Sequence, residues 1–235
     1  MKNFVIGIGG SGAKCIEHLV HCCSSGLGPD QLWAGMVDQD EANGNVNKTK
    51  ILLDKYKNLR SSLREEGKND LSKKSNLFKT HITTNNDSVW LPLKGADPTL
   101  EQIIYYNDLR REVQGLIDCL YEPEEKKLKF SEGFRGRPNI GAVAILARAV
   151  DEKDPFWSKI YKAIDAAREG EEVRIFIIGS IFGGTGAAGF PNIARKIKTI
   201  QQEKNVTSNF HIGGALMLPY FTYDVPEERR EELFA

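Results

Sequence analysis

The chain has no run of eighteen apolar residues, the length a membrane-crossing helix needs, although 40% of its 235 residues are hydrophobic. It also lacks an excess of either charge. Lys and Arg number 32 and Asp and Glu number 32, which argues against a DNA-coating protein or a polybasic membrane binder. Cysteine is scarce: Cys15, Cys22, Cys23 and Cys119 are too few and too bunched for a disulfide scaffold. The opening Met1-Lys2-Asn3 and its short apolar run lack the h-region of a secretory signal. No repeat of fixed period and no low-complexity tract occurs. The Gly-Lys-Ser/Thr ending of a P-loop is missing, which disfavours the commoner NTPase class. The expectation is a reduced, cytoplasmic α/β protein with a sizeable core.

What is present is a strand–glycine–helix grammar. Asn3 to Ile8 reads as a strand that runs into Gly7-Ile8-Gly9-Gly10-Ser11-Gly12. A helix follows from about Gly12 to Cys23, with Ala13, Ile16, Leu19, Val20 and Cys23 on one face. A second strand, about Leu32 to Val37, ends in Asp38-Gln39-Asp40-Glu41. This is the opening of a doubly wound, mostly parallel sheet with helices on both faces, a Rossmann-like α/β fold. Residues of about 44–130 differ in texture and read as a helical insertion or side layer within a single domain spanning 1–235. Leu52, Tyr56, Leu59 and Leu63 mark one amphipathic helix there. Asp97-Pro98 opens a second, with Leu109, Val113, Leu116 and Leu120 as its apolar stripe and Pro123 closing it. Asp154-Pro155 starts a further helix. Val173 to Ile178 reads as a central strand buried on both faces. It enters Gly183-Gly184-Thr185-Gly186 and another helix, and a last strand spans His211 to Leu218.

A glycine turn between a parallel strand and a helix exposes backbone N–H groups at the helix's positive end. It also removes the Cβ atoms that would hold a phosphate away. One such turn fits many Rossmann-like proteins. Two of them on one sheet, at the carboxyl ends of their strands, would converge on a single crevice.

Gly183-Gly184-Thr185-Gly186, with Pro191 further on, resembles the signature loop of the tubulin/FtsZ superfamily. Gly9-Gly10-Ser11-Gly12 and its helix are similar to the first nucleotide loop of the FtsZ-type proteins. Asp38-Gln39-Asp40 stands where the family has an acidic second loop beside the phosphates and magnesium. Gly133-Phe134-Arg135-Gly136-Arg137-Pro138 resembles the third loop, over the γ-phosphate, and Leu218-Pro219-Tyr220-Phe221 the fifth, near the ribose. Phe182 replaces the first glycine of the family's signature loop, and Ala187 and Ala188 follow Gly186.

The resemblance implies a GTP- or GDP-binding protein, with Mg²⁺ contacted by Asp40 and self-association into a filament or dimer. The implied nucleotide contacts are Gly9, Gly10, Ser11, Gly12 and Lys14; Asp38 and Asp40; Arg135, Gly136 and Arg137; Gly183, Gly184, Thr185, Gly186 and Ala187; and Asp224. The family's base-reading helix and catalytic acidic loop would follow Ala235, so the expectation is a possible GTPase with very slow turnover by this chain alone. Two other readings stay open. One is a Rossmann-type NAD(P)-binding module, for which Asp38 would serve as well. The other is a non-catalytic interaction protein with a vestigial nucleotide site.

Two constellations carry less. Cys15, His18, His21 and Cys22 have helical spacing, but the histidines fall with Lys14 and Glu17 opposite the apolar face, which is better read as solvated. Residues 48–79 hold ten Lys and Arg against four Asp and Glu. Aromatic interleaving is sparse there, so a solvated helix face is the better reading and a nucleic-acid partner is not expected.

Overall fold

A computed structural model describes residues 1–40, 42–64, 75–84, 88–93, 98–130, 133–134, 136–148 and 150–218. In chain order the first half holds β1 (Lys2–Ile8), α1 (Gly9–Ser24), β2 (Gln31–Val37), α2 (Gly44–Arg64), β3 (His81–Ile82) and β4 (Val89–Trp90). Then come α3 (Leu100–Ile103), a 3₁₀ turn (Tyr106–Asp108), α4 (Arg111–Leu120) and α5 (Pro123–Lys126). The second half holds α6 (Pro138–Ala147), α7 (Pro155–Arg168), β5 (Val173–Ser180), α8 (Gly184–Glu203) and β6 (Phe210–Met217).

Every pairing in the sheet is parallel, in the order β3-β2-β1-β5-β6, with β4 also pairing β2. Period-two alternation sorts the strand residues between two cores. Phe4, Ile6, Ile8, Trp33, Val37, Ile175 and Ile177 face α6, α7 and α8, where they meet Ile140, Ile145, Phe156, Trp157, Ile160 and Ile193. Leu32, Ala34 and Met36 face the other way, onto Ala13, Ile16 and Val20 of α1 and Val46, Leu53 and Tyr56 of α2. Helices therefore cover both faces, as the α/β pattern predicts.

Four expectations shift. The segment expected to be a side layer supplies β3 and β4, which extend the sheet beside β2. β5 is not buried on both faces: Arg174 is exposed and Phe176 is 41% exposed, and the core under α1 and α2 takes in Leu32, Ala34 and Met36 of β2 and Val5 of β1 but no β5 residue. The helix expected from Asp97-Pro98 is three pieces; Asp97 itself lies outside the described residues. Thr99 caps α3 in a reciprocal bond with Gln102, and Tyr105 at φ 52° ends the run. Finally, α1 begins at Gly9, not Gly12, so the glycine run is itself the helix entrance.

Candidate functional site

Adjacent strands place the two glycine turns side by side. β1 pairs β5 with Gly7 opposite Ile178, so the turns that follow leave the sheet at one level. Gly9 enters α1 at φ 71°, a conformation that favours glycine, and a Cβ there would lie 3.4 Å from the Gly186 nitrogen. Between the turns lies a crevice of about 200 Å³. Its walls are Gly9, Gly10 and Ser11 on one side and Gly183, Gly184, Thr185 and Gly186 on the other. Asp38, Asp40 and Asn43 close it from the end of β2, and Gly133, Phe134 and Gly136 from the loop before α6. The loop seats against both neighbours. A Cβ at Gly133 would touch Asp40 Cβ at 3.4 Å, and one at Gly184 would meet the Gly136 and Arg137 nitrogens at 3.1 Å.

The first amides of a helix have no intrahelical acceptor. At α7 the Asp154 side chain accepts from Phe156 and Trp157 N–H. At the crevice neither N-cap residue does this: they are Ile8 before α1 and Gly183 before α8, and neither first turn carries an acidic residue. Two positive helix ends therefore open onto the same space. A Cβ at Gly183 would find nothing within 4 Å. This bare, amide-lined crevice fits the phosphates of a nucleotide.

Asp38 holds the walls together. It is 2% exposed. Its carboxylate accepts from the Asp40 N–H at 3.2 Å, Asn43 Nδ2 at 2.9 Å and the Thr185 hydroxyl at 3.3 Å. Burial pushes its pKa up to about 6, against the opposing pull of these hydrogen bonds. Asp40 is partly exposed and accepts the Ala42 N–H. Among the described residues no group of three or more His, Cys, Asp or Glu could hold a metal. Cys15, His18, His21 and Cys22 accordingly make no metal cluster. Mg²⁺ commonly binds through one or two carboxylates plus substrate phosphates, and Asp40 at the crevice mouth fits that mode.

The expected residues divide. Gly9, Gly10, Ser11, Asp38, Asp40, Gly136, Gly183, Gly184, Thr185 and Gly186 all line the crevice. Gly12 lies beneath it, where a Cβ would sit 2.7 Å from the Ile178 carbonyl, so it serves helix–strand packing. Gly186 lines the crevice and also packs closely, since a Cβ there would collide with the Ser180 carbonyl. Lys14 is exposed and lines nothing there. Ala187 is not a wall residue either: its N–H donates to the Gly183 carbonyl at 3.0 Å, continuing the helix. Ala188 is buried within α8 and needs no positive φ. The Arg137 side chain turns to Glu125, 3.4 Å away. Arg135, Asp224 and the fifth loop beyond Leu218 lie outside the described residues.

Asn43 and Ser180 are wall residues that sequence reasoning missed. Asn43 carried a usable signal, an Asn before a helical run; its Oδ1 accepts the Asn45 N–H at 3.0 Å. Ser180, the last residue of β5, carried none. Among the described residues no helix is long and apolar enough to cross a membrane.

A family model described as tubulin like matches residues 4–233. No curated protein and no solved structure matches the chain. With the match spanning nearly its whole length, and two glycine turns, an acidic strand end and a closing loop around one crevice, the chain belongs to the tubulin-like family.

Proposed function

We propose that the crevice binds the phosphates of a guanine nucleotide, GTP or GDP, with Mg²⁺ at Asp40, and that nucleotide occupancy controls self-assembly of the chain. The observation that carries this reading is the convergence of two helix N-termini without side-chain caps on one glycine-walled space. The amides at the start of α1 and α8 hold the phosphate oxygens. The Ser11 and Thr185 hydroxyls add hydrogen bonds, and the loop around Gly136 closes the γ-phosphate side. Asp38 positions Thr185 and Asn43 and so fixes the distance between the walls. Guanine rests on family membership, and the phosphate half on geometry as well.

Calorimetric titration with GTP, GDP, ATP and NAD in the presence of Mg²⁺ tests the reading. Guanine nucleotides are expected to bind, and NAD is not. A Gly184→Val side chain would press on the Gly136 and Arg137 nitrogens and displace the closing loop. Each charge-assisted hydrogen bond to phosphate is worth about 1.5–3 kcal/mol, so affinity falls at least about a hundredfold. His18→Ala, on the exposed side of α1, leaves it unchanged. Tight NAD binding without a response to GTP would overturn the proposal.

A further inference from the structure

Two carboxylates, Asp38 and Asp40, line the crevice, and among the described residues no Lys or Arg does. Adjoining it is Arg137, directly after the wall residue Gly136. The Arg137 backbone belongs to the site. Its N–H donates to the carbonyl of Phe134, a wall residue, at 2.8 Å, and a Gly184 Cβ would lie 3.1 Å from the same nitrogen. Its side chain does not line the crevice and pairs with Glu125 instead. That contact is long, 3.4 Å from Nε to Oε1, and the arginine side chain is 42% exposed, so it holds weakly. Glu125 is the fixed partner: its other oxygen accepts the Glu122 N–H at 3.1 Å in the capping box of α5.

We infer that Arg137 is the group that tells a nucleoside triphosphate from a diphosphate, and that Glu125 sets the strength of this choice by competing for its guanidinium. The inference rests on the nucleotide reading of the crevice. A Cβ at Gly133 would touch Asp40, the Mg²⁺ residue of that reading, so the loop carrying Arg137 stands at the end where metal and terminal phosphates belong. The terminal phosphate brings further negative charge beside two carboxylates, and helix ends supply only partial charges against it. A guanidinium presents a planar fork that a phosphate accepts in two parallel hydrogen bonds. The pair with Glu125 uses one nitrogen at long range. Rotation of the side chain about an unmoved backbone exchanges the weaker pairing for the stronger. A diphosphate ends short of the loop and leaves the Arg137–Glu125 pair in place.

Calorimetric titration of GTP and of GDP, each with Mg²⁺, into the parent, Arg137→Gln, Glu125→Gln and the double variant tests this. Arg137→Gln is expected to lose at least about tenfold in GTP affinity, through lost charge-assisted hydrogen bonds, with GDP affinity unchanged. Glu125→Gln keeps a residue type that completes the capping box and releases the arginine. Its GTP affinity rises about two- to fivefold, the scale of a half-exposed ion pair, again without change for GDP. The double variant matches Arg137→Gln, because Glu125 acts only through Arg137. Melts without ligand confirm that all the variants fold. An ion pair that merely ties α5 to the loop is broken alike by either substitution, so it moves both single variants in the same direction. Equal effects in the two single variants, a Glu125→Gln gain that survives in the double variant, or one GTP-to-GDP ratio in all four proteins would overturn the inference and leave the nucleotide reading standing. A parent that binds neither nucleotide would overturn both.

Discussion

At the scale of single residues, Asp38 does two things at once. Its burial raises the pKa to about 6, and its bonds to Asn43 and Thr185 span the crevice. In the unfolded chain an Asp titrates near about 3.9. The folded state therefore binds this proton more tightly. The resulting stabilisation is complete below the unfolded value and is lost as pH rises through about 6, to the extent of about 3 kcal/mol. In melts across that range, the parent is expected to lose stability relative to Asp38→Asn; a difference that does not change with pH would refute the account of this carboxylate. The glycines separate in the same way. Gly186→Ala collides with the Ser180 carbonyl and is expected to lower the melting temperature, and Gly183→Ala enters open space and leaves it unchanged. Sequence reasoning treated these glycines as one loop. Among the glycines of the two turns the structure puts positive φ at Gly9, where the chain leaves β1.

At the scale of elements, boundaries set by adjacent residues were legible and those set by partners were not. Asp154 before Pro155 marks the start of α7, and its carboxylate does cap Phe156 and Trp157 N–H at 2.9 and 3.2 Å. Asp154→Ala is expected to cost about 1 kcal/mol, or about 2–4 °C in melting temperature, without altering nucleotide affinity. An unchanged melting temperature would show the cap to be dispensable. Asp97-Pro98 carries the same sequence signal, yet Thr99 takes the cap of α3 through Gln102. The continuous stripe expected from Leu109 to Leu120 predicts a buried face. The break at Tyr105 and the Tyr106–Asp118–Lys126 network turn that face outwards. β3 and β4 are two residues each and hold their place only by pairing with β2, so no periodicity announces them.

At the scale of the whole molecule, the parallel sheet and the two glycine turns could be read from strand–turn–helix order and from resemblance. Their meeting depends on a β1–β5 pairing between residues far apart in the chain. The Asp38–Thr185 contact and the seating of the Gly136 loop against Gly184 arise only once that pairing forms. The central claim is that the resulting crevice binds nucleotide phosphate through bare helix ends. Gly183→Asp tests it most directly, because the substitution separates stability from binding. Gly183 precedes α8 in extended backbone, and a side chain there has room. A carboxylate at that position caps the helix and holds or slightly raises stability, by a few tenths of about 1 kcal/mol. It also places negative charge where the phosphates would sit. Calorimetry with Mg²⁺ and GTP on parent and variant, alongside melts without ligand, is the measurement. The account predicts that the variant melts no lower than the parent and binds GTP at least about a hundredfold more weakly, a loss of about 2.7 kcal/mol. Equal affinity in the two proteins, or no binding by the parent, would contradict it.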